Sequence, residues 1–507
     1  MRRLPPFALL VPAALAGLLT AMACPAPDLP LLAWFGLAPL VVVMRHRPFK
    51  SGFVAGFFFF AAVLYWLNIV MTTYGRLPLV VSLAAYLLLV AYLSLFWGCA
   101  TWAACRLREV CGYSYALTLP VLWVALELLR AIVLTGFPWA SLGYSQQAWL
   151  PVIQSADLFG VYGIGYLLIL SNTVVAECWL ALRDAQGQRA PIIAMLVFGL
   201  LLAANLGYGH WRLTEKPVER PSLNVGLVQG NVPQDLKWSP AFLQQTLDNY
   251  KRLSRSVVTA GGSDLLVWPE AATPFYYQDG GPLSRQVDSL AIESGSSLLF
   301  GSPAYRQADG QIRFLNSAFL LDSRGRLTGR SDKIHLVPFG EYVPLGRFLP
   351  FIHRLVVGIG DFSPGEVSPL PMNGHSIGVL VCYEAIFPEL AREWVRRGSD
   401  LLVNVTNDAW FGRSSAPYQH LEMTRFRAVE NRIWIARAAN TGISAFIAPS
   451  GRIAGATSIF ESRYLKGRVG LGAVSTLYNR IGDTLPAAFL LLAVVWLAQT
   501  LRRTVRP

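Results

Sequence analysis

The cysteine in "GVLVCYEAIFPE", Cys382, closes an apolar run and is followed at once by an aromatic residue and a carboxylate. A cysteine so placed is either a small buried hydrophobe or a nucleophile. Nucleophilic attack on a carbonyl needs thiolate character, and therefore a base or a positive charge nearby. Histidine is the usual partner, but His335, His353, His375 and His420 all lack a recognisable cysteine-protease context and read as surface or packing residues. Glu270, in "VWPEAATPF", is a better base, since desolvation between apolar and aromatic neighbours would raise its pKa toward the range useful for proton transfer. Lys333, in "SDKIHLVPFGEYVP", is either a solvated surface charge or a cation for the reacting centre. Eight residues later Glu341 repeats the pattern of a carboxylate inside an apolar stretch.

Short β-rich runs, "LNVGLVQGN", "SDLLVWPE", "SSLLFGSPAY", "NSAFLLDS", "SIGVLVCYE", "DLLVNVTND" and "ISAFIAPS", alternate with helices expected at Pro240 to Thr259, Leu283 to Ser294, Phe387 to Arg397 and Tyr418 to Ala439. The segments "RGRLTG" and "PSGRI" predict hairpin turns. Near-continuous apolar strands predict an α/β domain whose sheets are covered on their faces. Three runs end in polar residues: Glu270, Cys382 and the pair Asn407 and Asp408. Ligands gather at the carboxyl ends of strands in such sheets, so these residues are expected to share one pocket. There is no GxGxxG, no Walker motif and no Cys/His spacing suited to a metal.

The order "VWPE", "DKIHLVPFGEY", "VCYE", with strands between, resembles the nitrilase superfamily of carbon-nitrogen hydrolases over about Pro221 to Gly470. The resemblance implies an αββα sandwich and a catalytic triad of Glu270 as general base, Lys333 as cationic stabiliser of the oxyanion and Cys382 as nucleophile. It also implies that the backbone N–H of Tyr383 completes the oxyanion site. In chemical terms an ammonium and an amide can hold the charge that develops on a tetrahedral oxygen, while a glutamate ferries protons. Tyr383 and Glu384 are expected to position Cys382, and Glu341 to order Lys333 or the nucleophile, unless all three are structural.

The rest of the chain places this domain at a membrane. Of 507 residues 54% are hydrophobic and only 14% charged, too apolar for an ordinary soluble protein. Runs able to span hydrocarbon lie at about Phe7 to Ala23, Leu31 to Met44, Gly52 to Met71, Leu79 to Cys105, Tyr115 to Leu134, Leu158 to Leu182, Ile192 to Tyr208 and Pro486 to Leu501. The first could be a secretory signal ending at Ala21-Met22-Ala23, but its length and the span that follows favour a retained helix. The expected organisation is seven helices in 1–210, an outer domain over 221–470, and an eighth helix with a cytoplasmic tail in 484–507. Arg2, Arg3, Arg45, Arg47, Lys50, Arg106, Arg108, Arg183, Arg189, Arg502, Arg503 and Arg506 fall on one side of such a chain. The opposite loops, "PAPDLP", "TTYGRLP" and "TGFPWASLGYSQQAWLP", hold only Arg76. The positive-inside rule makes both termini cytoplasmic and the outer domain extracytoplasmic. The net charge of +13 is partly these anchors and calls for no nucleic acid.

Five of the six cysteines (Cys24, Cys99, Cys105, Cys111 and Cys178) lie in or beside spans, so Cys382 has no disulfide partner in the outer domain. Glu127 and Arg130, three residues apart within one span, share a helix face and are expected to form a structural ion pair.

Spans, outer nitrilase-like domain and final span together, with "FPWASLGYSQ", "QGNVPQDLKW" and "HLVPFGEYVP", resemble the apolipoprotein N-acyltransferases of the bacterial inner membrane. That resemblance implies a ping-pong reaction on the periplasmic side. A membrane phospholipid donates an acyl chain to Cys382 as a thioester, and the α-amine of a diacylglyceryl apolipoprotein accepts it as an amide. No cofactor or metal is implied. Trp238 would line the acyl pocket, its alternative being a helix-start core aromatic. The apolar, aromatic and basic stretch Leu345 to Phe362 suits a membrane surface and is expected to act as a mobile arm, unless it is an ordinary buried helix and loop. Two other readings stay open: a membrane-anchored amidase or nitrilase whose acyl-enzyme is resolved by water, and a transporter carrying a degenerate sensory domain, although no paired broken helices are evident.

Overall fold

The structure, a computed structural model, describes residues 10–184, 189–215, 220–308, 310–342 and 362–505. The expected arm from Leu345 to Phe362 lies outside the described residues except for Phe362, and His353 lies outside them too. The chain divides into two compact units: Met1–Asn68, Pro78–Glu215 and Arg480–Pro507 form one, Ile69–Leu77 and Lys216–Asn479 the other.

The first unit is helical. Five of its helices, Leu79–Cys111, Tyr115–Thr135, Ala156–Arg183, Arg189–Thr214 and Thr484–Thr504, are long and apolar enough to cross a membrane, and a bent pair, Pro48–Val63 with Leu67–Tyr74, makes a sixth if counted as one span. The two runs expected nearest the N-terminus appear as the shorter apolar helices Val11–Ala21 and Pro30–Met44. The backbone breaks twice here: Ala26 and Asp28 adopt positive φ between the two, and residues 35–37 separate the 3-10 turn Pro30–Trp34 from the helix Ala38–Met44. Small residues allow close helix contact, as is usual in membranes. At Gly52 a Cβ would come within 2.1 Å of the Thr101 hydroxyl and 2.4 Å of the Trp97 carbonyl.

Polar contacts join loops at the helix ends of this unit. Arg45 pairs with Asp184 at 2.8 Å. On the other end, Gln147 donates to Asp28 at 2.8 Å and Gln146 donates to the Pro30 carbonyl at 2.9 Å. Arg130 is fully buried and lies 3.9 Å from Glu127, but its stronger contacts are elsewhere. It donates to the carbonyls of Phe137 and Trp139 at 2.7 and 2.6 Å and to the Ser141 hydroxyl at 2.9 Å, while Glu127 accepts from the Leu142 amide at 3.1 Å. The pair is structural in that it clamps the "FPWASL" loop onto its own helix.

The second unit holds two six-stranded sheets. The strands are β1 (Ser222–Gln229), β2 (Leu265–Val267), β3 (Ser297–Ala308), β4 (Gln311–Leu321), β5 (Leu327–Asp332), β6 (Leu370–Met372), β7 (His375–Val381), β8 (Leu401–Thr406), β9 (Ile435–Ala439), β10 (Ala445–Ile447), β11 (Ile453–Ala456) and β12 (Arg463–Gly470). One sheet runs β12-β1-β2-β3-β4-β5 and the other β11-β10-β9-β8-β7-β6, each with a parallel centre, β1-β2-β3 and β7-β8-β9. Val225, Leu227, Val267 and Leu299 from the first sheet share a buried cluster with Val379, Val381, Val403 and Ala438 from the second, so the sheets pack face to face. The outer face of the first is covered by the helices Leu243–Thr259 and Pro282–Ser294, through Leu247, Leu253, Val287 and Leu290. Pro388–Arg396 and Ala416–Asn431 cover the second, through Ala391, Trp394, Leu421 and Ala428. This is the αββα sandwich, and strands buried on both faces explain why β8, "LLVNVT", is apolar almost throughout.

One expected element is divided. The helix predicted over Tyr418 to Ala439 stops at Asn431, because Arg432 adopts the left-handed conformation (φ 46°), and Ile435–Ala439 becomes β9. An Ala-rich segment reads as helix by composition, but between β8 and β10 the ladder hydrogen bonds of a central strand override that preference. The two hairpin turns occur as expected: Asp322 N–H bonds the Arg326 carbonyl and Ala448 N–H that of Arg452, both at 2.9 Å.

Replacing Arg130 by Met removes the side-chain donor to the Phe137 and Trp139 carbonyls and to the Ser141 hydroxyl, and a buried acceptor left unpaired costs about 1–3 kcal/mol. The thermal unfolding midpoint of the purified protein in detergent is expected to drop, with partial recovery in Arg130→Lys; an unaltered midpoint in Arg130→Met would show that the clamp is dispensable.

Candidate active site

Glu270 follows β2 through Trp268 and Pro269, where the chain continues to pair with β3: Trp268 N–H bonds Leu299 O at 2.8 Å and Gly301 N–H bonds Pro269 O at 3.1 Å. The approach is so close that a Cβ on Gly301 would lie 2.5 Å from Ala271 N and 2.6 Å from Glu270 Cα. The "FGSP" of β3 is thus the negative imprint of the Glu270 turn. The carboxylate is buried; Oε1 accepts from Asn316 Nδ2 at 2.7 Å and Oε2 from the Asn407 amide at 2.9 Å.

Lys333 follows β5 and is buried, its amide tied to Asn316 O at 2.8 Å. Its Nζ lies 2.8 Å from Glu341 Oε1 and 4.0 Å from Glu270 Oε1. Burial works against the ammonium, yet Glu341 and then Glu270 outweigh it and hold the pKa above the usual lysine range. Asn316 bridges the two carboxylates, donating to Glu341 Oε1 at 3.0 Å as well as to Glu270, and the Val337 amide fixes Glu341 Oε2 at 2.8 Å.

Cys382 directly follows β7 with a left-handed backbone, φ 54°, which is strained for a residue with a side chain. Its neighbours hold it there. The Glu384 carboxylate accepts the amides of Val381, Ile334 and His335 at 2.6, 2.5 and 3.0 Å, joining the turn after β7 to the segment that carries Lys333. Burial pushes Glu384 up to about 7, against the pull of those amides and of Lys333. His420 Nε2 is 3.1 Å from the Cys382 carbonyl, which can only accept, so that nitrogen carries a proton. Behind it stand Asp408, 3.0 Å from Nδ1, and Arg437, whose Nη2 donates to Asp408 at 2.7 Å. Burial opposes the Asp408 charge, but Arg437 and His420 bring its pKa down to about 2. The Cys382 thiol itself is pushed well above the ordinary range, first by burial and then by the charge of Glu270; Lys333 and a hydrogen bond with Thr406 oppose this.

Glu270, Lys333, Cys382, Glu341, Glu384 and Asn407 thus gather at the strand ends as the sequence pattern requires. Tyr383 packs edge-on against Phe387 at 5.1 Å. Trp238 ends the short helix Gln234–Lys237 and is 51% exposed, so it is not a core aromatic. Of the histidines, His335 stacks on Phe387 at 3.8 Å and burial drives its pKa down to about 4, which makes it a packing residue. His375 lies on the surface near Asp400. His420 is more than packing, though no local signal distinguishes it. Sequence reasoning also missed Asn316 and Lys237; the signal for Asn316 was an amide opening the otherwise apolar "NSAFLL" run. Among the described residues no cluster of His, Cys, Asp and Glu is suited to a metal.

Two measurements follow from this geometry. Gly301→Ala should displace Glu270 and cost about a hundredfold in turnover with little change in far-ultraviolet circular dichroism; full activity would mean that the turn relaxes freely. Glu270→Gln removes a charge that raises the Cys382 pKa, so peptide-resolved alkylation of Cys382 should begin at lower pH in the variant than in the wild type. An unshifted alkylation profile would show that this carboxylate does not face the thiol.

Residues 224–477 match the carbon-nitrogen hydrolase family and residues 16–174 the apolipoprotein N-acyltransferase N-terminal domain. An apolipoprotein N-acyltransferase of Geobacter metallireducens is 47% identical over 97% of this chain and 95% of its own length. Namesakes from Chromobacterium violaceum (34% identical, 96% and 93% covered) and Haemophilus ducreyi (31%, 90% and 90%) are similar along nearly the whole chain. The chain belongs to the apolipoprotein N-acyltransferase family, with its nitrilase-like domain bearing the buried cluster of Glu270, Lys333 and Cys382.

Proposed function

We propose that this acyltransferase works by a ping-pong mechanism through a thioester on Cys382, taking the acyl chain from a membrane phospholipid and giving it to the α-amine of a diacylglyceryl apolipoprotein. The observation that carries this reading is the burial of Cys382 beside Glu270 and Lys333 in a chain of this family. A thiol pushed up by burial is not a thiolate at rest, so Glu270 takes its proton as Sγ attacks the ester carbonyl. The oxyanion is held by Lys333 and by the backbone N–H of Tyr383. Collapse of the tetrahedral intermediate expels the lysophospholipid alkoxide, which recovers the proton from Glu270. In the second half-reaction the α-amine attacks the thioester, Glu270 accepts an amine proton, and collapse breaks the C–S bond. The amide leaves and the thiolate is reprotonated. Glu341 and Asn316 keep Lys333 and Glu270 in register, Glu384 fixes the turn bearing Cys382, and the exposed Trp238 lines the acyl path. The residues need no metal or cofactor for these steps.

We also place both termini and the basic loops in the cytoplasm, count eight spans, and put the domain on the periplasmic side of the inner membrane. Support comes from the charge pattern and from the contacts Arg45–Asp184 on one side and Gln147–Asp28 on the other, which join loops of matching sidedness.

Intact mass spectrometry after incubation with phospholipid tests the first half-reaction. The wild type should gain one acyl chain, removable by neutral hydroxylamine, and Cys382→Ser and Glu270→Gln should gain none. Conversion of a diacylglyceryl lipopeptide without any adduct would exclude the ping-pong scheme.

A further inference from the structure

Lys237 is buried as thoroughly as Lys333, at 1% exposure. It ends the short helix Gln234–Lys237, which is strapped to the site at both ends: Gln234 Oε1 accepts from Asn407 Nδ2 at 2.7 Å, and Lys237 Nζ donates to the Glu270 backbone carbonyl at 3.0 Å. Among the described residues that is the lysine's one hydrogen bond, and no carboxylate lies within ion-pair distance of it. An ammonium has three donors, and keeping one in the interior without a counter-ion is costly. The helix could hold its place with an apolar residue here at far lower cost, so the charge itself needs a reason.

The charge balance of the site supplies one. The charges that act on the thiol are the carboxylates of Glu270 and Asp408, which oppose its ionisation, and the Lys333 ammonium, which favours it but is itself held by Glu341 and Glu270. Two negative charges against one positive oppose the appearance of a third negative charge, and acyl transfer requires that charge, first on sulfur and then on the carbonyl oxygen. Lys237 is electrostatically coupled to Glu270 and to Cys382, the two groups that exchange the proton.

We propose that Lys237 is a second cation of the acyl-transfer site, a positioning residue that pins the Glu270 turn by its carbonyl and offsets the negative charge developing between Cys382 and the ester. The inference rests on the reading of Cys382 as the acyl-bearing nucleophile. It gives the enzyme an alkaline limit. Burial lowers the Lys237 pKa to about 8, with Glu270 and Cys382 pulling the other way, so the positive charge is present below that pH and lost above it. The groups facing it are Glu270 after β2 and Cys382 after β7, with Asp235 on its own helix. Lys333 and the Cys382 thiol are both held well above this range, so neither accounts for a fall there.

The test is the single-turnover rate of acyl-adduct formation on Cys382, followed by intact mass from neutral to alkaline pH, in the full-length protein reconstituted with phospholipid. Wild type should slow as the pH passes about 8. Lys237→Arg should stay within about tenfold of wild type at neutral pH and carry the decline to higher pH, because a guanidinium stays charged. Lys237→Met should be slower by about a hundredfold at neutral pH and lack the decline. Wild-type rates in Lys237→Met, or an unmoved alkaline decline in Lys237→Arg, would overturn the proposal; the arginine variant carries the test if the methionine variant does not fold. Should the wild type form no adduct, or Cys382→Ser form the same one, the reading of Cys382 fails and this inference falls with it.

Discussion

Taking a lysine ammonium out of water without a counter-ion is costly, and the geometry of the site answers that constraint at Lys333. The ammonium is buried, and what keeps it charged is Glu341 at 2.8 Å together with Glu270 at 4.0 Å. Two carboxylates that close would repel each other, and Asn316 donates to both. The long pairing of β3 with β4 places Asn316 beside the Glu270 turn, and the β4–β5 hairpin returns Lys333 to the same point. Removing Lys333 would leave two buried carboxylates without their cation, so these residues hold position as a set.

Cys382 meets a different constraint. A strand that ends in a left-handed residue other than glycine is strained, and the structure holds that strain from two directions. Glu384 gathers the amides of Val381, Ile334 and His335, His420 holds the Cys382 carbonyl, and Asp408 with Arg437 holds His420. Glu384 therefore links the Cys382 turn directly to the Lys333 segment, which explains how two strand ends on opposite sheets keep a fixed separation. The consequence is a thiol too buried to ionise at rest, and in the proposed mechanism Glu270 takes its proton.

Glu270, Cys382 and the Asn407–Asp408 pair were legible because polar residues closing apolar strands break a strong pattern. The sandwich was legible too, since strands covered on both faces are apolar throughout. Asn316, Lys237 and His420 were not, because each acts across long separations: Asn316 on Glu341, Lys237 on a backbone carbonyl, His420 on the carbonyl of Cys382. β9 was hidden for the same reason, as its Ala-rich sequence favours helix and only its neighbours β8 and β10 make it a strand. Among the apolar helices, hydropathy located runs but not breaks: the second run divides into a 3-10 turn and a short helix.

The most direct test of the account is a chase. Enzyme carrying a labelled acyl chain on Cys382 would be freed of phospholipid and mixed with a diacylglyceryl lipopeptide. The mechanism predicts that label leaves the protein and appears as an amide on the peptide α-amine at one shared rate. Label that stays on Cys382, or departs as free fatty acid, while peptide conversion still requires added phospholipid, would contradict the thioester as the intermediate of transfer.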